Sequence, residues 1–128
     1  MRLTAHAILR YLERVKGIDV DTLRAHYIKE FPRASKDDAV FLQWIGDTTP
    51  GIVDMTSREI EARCADAADA GASHLKSSDG VFIFSGGILI TVLTRDQFKK
   101  SGGRKWIASR CRAARRSAAK LENDHGDA

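Results

Sequence analysis

Two prolines, Pro32 and Pro50, are all this chain has in 128 residues, so no stretch is rich enough in proline to act as a stiff spacer or a low-complexity linker. Cysteine is as scarce. Cys64 and Cys111 are isolated residues in helix-like stretches, with no CxxC pair and no regular spacing. That excludes a disulfide framework and a zinc site, and leaves two buried free thiols as the expectation. No apolar run nears the roughly 18 residues of a membrane span, and charges interrupt Met1 to Arg14 too early for a secretory segment. No membrane partner and a cytoplasmic location are therefore expected. An HExxH pair, a Walker sequence, a glycine-rich nucleotide loop and clustered carboxylate ligands are all lacking, so neither a metal nor a cofactor is predicted.

The most informative scarcity is local. Between Arg95 and Lys120 there are ten Lys or Arg residues and a single acid, Asp96, so that segment carries +9. Residues 1 to 94 hold eleven bases and thirteen acids, and residues 121 to 128 come to −3, so the whole-chain charge of +4 conceals one concentrated basic element. Such a segment is the usual electrostatic footprint of a polyanion partner, most often nucleic acid.

What is present describes one domain. A chain of this length with 43% hydrophobic residues can bury a single core without disulfides or metal, as a monomer or a homodimer. The pattern Ile8, Tyr11, Leu12, Val15 predicts a helix over 4–16, capped by Thr4 and ended by Gly17. A second helix is predicted from near Asp21 to Glu30, stopped by Pro32. Ser35 with Asp38 reads as a capping box for a short third helix through Phe41, Leu42, Trp44 and Ile45. Residues 46 to 55 carry turn chemistry around Pro50 and Gly51 and read as the longest connection, a flap or a linker. Thr56 with Glu59 then reads as the box that opens a fourth helix, closed by Gly71.

A strand region follows. Asp79-Gly80 and Gly86-Gly87 are tight-turn dipeptides bracketing Val81 to Ser85, with Ile88 to Thr94 beyond, which predicts a β-hairpin that Ser73 to Ser78 extends to three strands. A two-residue loop at Gly86-Gly87 sets Phe82 against Thr91 and Phe84 against Leu89 on one side, with Val81–Val92 and Ile83–Ile90 on the other. Both faces are apolar, so cover is expected on both, from helices or from a second subunit. The fold class is α+β: a core domain over 1–103, a basic amphipathic helix over 104–121, and an acidic tail over 122–128.

On that last helix Ile107, Cys111, Ala114, Ala118 and Leu121 form a narrow stripe, and Lys105, Arg112, Arg115, Arg116 and Lys120 lie on the neighbouring face. Arg and Lys spaced along one helix face meet successive phosphates, and Ser101-Gly102-Gly103 before Arg104 places free N–H groups at the helix start. The competing reading is a solvated helix, or one laid against an acidic neighbour.

His6, Arg10 and Arg14 form a second feature. Steps of four residues rotate only about 40° each on a helix, so the three share one polar stripe beside the apolar face. A histidine with two guanidinium groups suits phosphodiester cleavage, the ring moving a proton while fixed cations oppose the phosphorane charge. Pairing of Arg10 and Arg14 with Glu13 is the structural alternative. His74 is the candidate for a second proton-transfer role, placed opposite Ser85 if 73–78 pairs with the hairpin. An ordinary strand histidine is the alternative.

A helix opening His-x3-Arg-x3-Arg over Thr4 to Val15, followed over Arg58 to Leu93 by a helix, a hairpin and the strand Ile-Leu-Ile-Thr-Val-Leu, resembles small bacterial and phage proteins related to RelE-type and RegB-type endoribonucleases. Those belong to the barnase, EndoU, colicin and RelE group of metal-independent RNases, with N-terminal helices packed on an antiparallel sheet. The resemblance implies that His6, Arg10 and Arg14 act together on RNA with Thr91 of the last strand near them. It does not extend to residues 17–55 or to the basic C-terminal segment. Two alternatives of other classes stand beside it: a noncatalytic DNA- or RNA-binding regulator, and a phage-type inhibitor that binds a host or cognate regulatory protein.

Overall fold

The computed structural model describes residues 1–101, which form five helices and four strands. The basic helix expected over 104–121 and the tail over 122–128 lie outside the described residues. In chain order the elements are β1 (Arg2–Leu3), α1 (Ala5–Arg14), α2 (Val20–Glu30), α3 (Asp38–Thr48), α4 (Ile52–Asp69), β2 (His74–Ser77), β3 (Gly80–Ser85), β4 (Ile88–Leu93) and α5 (Arg95–Lys100). The class is α+β, with four helices first and most of the sheet after them.

Thr4 starts α1 as expected, its hydroxyl accepting from the Ala7 N–H at 3.0 Å. The same hydroxyl donates towards the Leu89 and Ile90 carbonyls, so one residue caps the helix and ties it to β4. Asp19 caps α2 through Thr22. The third helix starts differently from the expected Ser35–Asp38 box. Asp37 is its cap, accepting from the Ala39 N–H, while the Ser35 hydroxyl accepts from the Asp37 N–H one turn early.

The long connection expected over 46–55 does not exist. Helix α3 continues to Thr48 and α4 begins at Ile52, leaving only residues 49–51, where Pro50 and a left-handed Gly51 (φ 87°) reverse the chain. Gly46 has a packing reason and not a turn reason, because a Cβ there would stand 3.3 Å from the Val53 side chain of α4. Thr56 is likewise no cap. It is buried one turn inside α4, on the face that also buries Ile60, Cys64 and Ala68.

The sheet order is β1-β4-β3-β2, with β1 parallel to β4 and the other pairs antiparallel. Two-residue β1 is an element that the sequence pattern did not announce. Gly86 and Gly87 both take positive φ, 57° and 78°, as a two-residue hairpin turn of the favoured hand requires. Phe84 pairs with Leu89 as expected, but a bulge between Ile83 and Phe84 shifts the rest of the ladder by one residue, giving Ile83↔Thr91, Phe82↔Val92 and Val81↔Leu93. The physical reason is burial. An unbroken register would aim Thr91 beneath α1, whereas the bulge puts Val92 there beside Phe82, and Thr91 moves to the other face.

Both faces are covered, as an apolar two-sided sheet requires. Phe82, Phe84, Leu89 and Val92 join the helical core around Tyr11, Leu12, Phe41 and Ile60. On the other face Val81, Ile83 and Leu93 pack with Phe98 of α5, and Ile90 lies at the margin. Helix α5 opens with a full capping box, Thr94 and Gln97 exchanging bonds at 3.0 Å each. Among the described residues no helix is long and apolar enough to cross a membrane.

Candidate functional site

Helix α1 holds His6, Arg10 and Arg14 on one polar stripe, as the spacing of four predicts. Their partners are now visible. His6 Nδ1 lies 3.1 Å from Asp38 Oδ2 at the start of α3, and the other oxygen of Asp38 accepts from Arg24 Nη2 of α2 at 2.7 Å. The Arg24 guanidinium also sits 4.4 Å over the Phe41 ring. Burial pushes the Asp38 carboxyl up, but the bonds from Arg24 and His6 outweigh it and hold the group below the usual carboxylate range. An ionised carboxylate can only accept, so His6 Nδ1 carries the hydrogen and a neutral ring keeps its lone pair on Nε2. The ring is partly exposed at 43%.

Farther along the stripe, the two arginines share one acid. Arg10 Nη1 donates to Glu13 Oε1 at 3.0 Å, and Arg14 Nε lies 3.5 Å from the same oxygen. Arg14 also donates from Nη1 to the Val92 carbonyl at 2.6 Å. That bond occupies a carbonyl of β4 beyond the stretch that β1 pairs, which blunts an open sheet edge. Burial and the neighbouring Arg10 lower the Arg14 pKa, with Glu13 opposing them. Pairing with Glu13, the structural alternative for these arginines, is what the geometry shows.

His74 and Thr91 stand elsewhere. His74 pairs with Ile83, not Ser85, because the β2–β3 loop is the two residues Ser78 and Asp79 and not Asp79-Gly80. Thr91 pairs with Ile83 from the other side. Both therefore flank Ile83 on the α5 face of the sheet, roughly 10 Å apart across two strand spacings, while α1 covers the opposite face. The structure brings His6, Arg10 and Arg14 together and separates them from His74 and Thr91. Arg104, Lys105, Arg112, Arg115, Arg116 and Lys120 lie outside the described residues, as does Cys111.

The densest polar cluster went unread in the sequence. Tyr11 is fully buried, and its hydroxyl donates to Glu59 Oε1 at 2.7 Å. Lys16 Nζ reaches the same carboxylate at 2.7 Å. Arg63, one turn along α4 from Glu59, donates to the Tyr11 hydroxyl, to Ser77 Oγ and to both oxygens of Asp79. Its guanidinium lies 4.9 Å from the centre of the Phe82 ring. Burial and the Glu59 bond raise the Tyr11 pKa, while the bonds from Arg63 and Ser77 pull Asp79 down to about 2. Every charge in the cluster has an opposite partner, so it fastens α1 and α4 to the β2–β3 turn. The Glu59-x3-Arg63 spacing was the only available signal, and it names no partner across the fold. Cys64 beside it is buried, and desolvation lifts its thiol to about 11, which makes it a poor nucleophile.

Among the described residues no group of three or more His, Cys, Asp or Glu side chains is placed to hold a metal ion. Comparisons of the chain with protein-family models, with curated proteins and with solved structures find no significant match in any of the three.

Proposed function

We propose that this protein binds nucleic acid, RNA in preference, through the basic segment that begins at Arg95. The observation that carries this reading is the partition of charge. Residues 1 to 94 contain thirteen acids and eleven bases, and Glu13, Asp38, Glu59 and Asp79 are already held by Arg10, Arg24, Lys16 and Arg63 of their own domain at 3.0 Å or less. The ten cations between Arg95 and Lys120 have one acid within their own segment. A cation set of that density is suited to successive phosphates, with affinity gained by counterion release. The test is titration of labelled RNA at several salt concentrations with the full chain. Binding should weaken steeply with salt, and replacing Arg112, Arg115 and Arg116 with Ala should lower both affinity and slope. Unchanged affinity and slope in that variant would refute the proposal.

Cleavage of the bound RNA is a second reading, favoured by the His6–Asp38 pair. A neutral histidine whose Nδ1 donates to a carboxylate keeps the Nε2 lone pair to take a proton from a 2′-hydroxyl, with Arg10, itself held by Glu13, one turn away to oppose phosphorane charge. Incubation with RNA in EDTA decides it. Cleavage abolished in a folded His6→Ala variant supports a nuclease, and RNA left intact by the unaltered protein leaves a binder alone.

A further inference from the structure

The described domain has a positive side, and it is the side from which the basic segment departs. Face by face, β2 alternates: Leu75 and Ser77 pair with Phe82 and Gly80, while His74 and Lys76 pair with Ile83 and Val81, whose side chains pack under α5. Lys76 Nζ lies 5.0 Å from the centre of the Phe98 ring, and the His74 ring stacks on the same phenyl at 5.7 Å. Phe98 thus joins the edge strand to α5. At about 100° per residue, Arg95 and Lys99 fall together on one flank of Phe98, about 60° and about 100° round from it, and Asp96 and Lys100 fall on the far side. There Lys100 is paired with Asp96 at 3.0 Å.

Lys76, Arg95 and Lys99 are exposed, and among the described residues none of the three forms an ion pair. Lys76 and α5 together carry four bases and one acid, a local +3. The rest of residues 1–101 carries ten bases and thirteen acids, a balance of −3. The two sides of the sheet are therefore of opposite sign, with α1 to α4 on the acidic side.

We infer that Lys76 over the Phe98 ring, with Arg95 and Lys99 along one flank of α5, forms a docking surface on the α5 face of the sheet for the phosphate backbone of the same nucleic acid that the basic segment holds. This rests on the nucleic-acid reading given above and adds a location: the strand crosses the folded domain on its α5 face and avoids the helical face. The three cations are carried by a sheet edge and a capped helix, so the backbone that bears them is ordered before binding.

The experiment is fluorescence anisotropy of the full chain with a labelled single-stranded RNA, comparing Lys76→Gln/Lys99→Gln with Lys29→Gln/Arg33→Gln, a control pair on the helical side. Circular dichroism confirms that each variant is folded. Because two phosphates are no longer neutralised, the slope of log K against log salt should fall by about 1.4, and affinity at moderate salt about tenfold, in the first variant only. Equal behaviour of the two variants, with RNA still bound, overturns the surface and leaves the nucleic-acid reading standing. No RNA binding by the unaltered chain at low salt overturns both. Binding of an acidic peptide in place of RNA would assign the surface to a protein partner and overturn the inference.

Discussion

Arg63 reaches Asp79, Ser77 and Tyr11 with one guanidinium while covering the Phe82 ring, so a single side chain links α4, the β2–β3 turn and α1. Its hydrogen bonds to a carboxylate are of the stronger kind, yet Asp79 is 43% exposed and solvent screens the pair. Arg63→Met should therefore cost about 1 kcal/mol at neutral pH, measured by denaturant unfolding. The pH dependence follows from the depressed carboxylate. Asp79 titrates near about 2 in the fold, against about 4 in an unfolded chain. Its contribution is complete above about 4 and disappears as pH falls through about 2. The difference between the unaltered protein and Arg63→Met should shrink over that window, and a difference constant down to pH about 2 would show that packing on Phe82, not the ion pair, is what Arg63 supplies.

Among the elements, the hairpin turn isolates a pure backbone effect. Gly86 and Gly87 both have positive φ, and a Cβ at either would meet nothing within 4 Å. Gly87→Ala should cost about 1 kcal/mol from conformation alone, whereas Gly86→Asn should be close to neutral, since asparagine tolerates the left-handed region. Equal losses in the two variants, read by denaturant midpoints, would contradict that assignment. This turn was legible in the sequence because glycine pairs report directly on φ. The α1 cap at Thr4, the two-sided hairpin and the helix end at Gly71 were legible for similar local reasons. The start of α4 was not. Thr56 and Glu59 have the spacing of a capping box, but Thr56 is buried against the core and Glu59 is used by Tyr11 and Lys16. Tertiary demand overrode local pattern there, and again at the bulge, where burying Val92 in place of Thr91 fixed the register. Helix α5 was also missed by the sequence reading, although Thr94 and Gln97 have the capping-box spacing that opens it. Of the candidate site, the stripe on α1 was readable from periodicity, but its partners Asp38 and Glu13 depend on which helices meet.

For the molecule as a whole, the sheet separates two layers of opposite charge, and their apolar anchoring differs greatly. The helical layer rests on a core shared by α1 to α4, with Tyr11, Phe41, Phe82 and Phe84 all essentially inaccessible. The α5 layer rests on Phe98 against Val81, Ile83 and Leu93. A six-residue helix cannot persist alone in water, so its place depends on that contact and on its cap. Phe98→Ala should lower global stability by about 3 kcal/mol. Its more specific mark is local: amide hydrogen exchange should quicken in residues 95–101 while amides of α1 and of the β3–β4 ladder stay protected. Because Arg95 and Lys99 are carried by that helix, the variant should also bind RNA less tightly than Lys29→Gln/Arg33→Gln. Protection of 95–101 that survives in Phe98→Ala would mean that another contact holds α5 to the sheet.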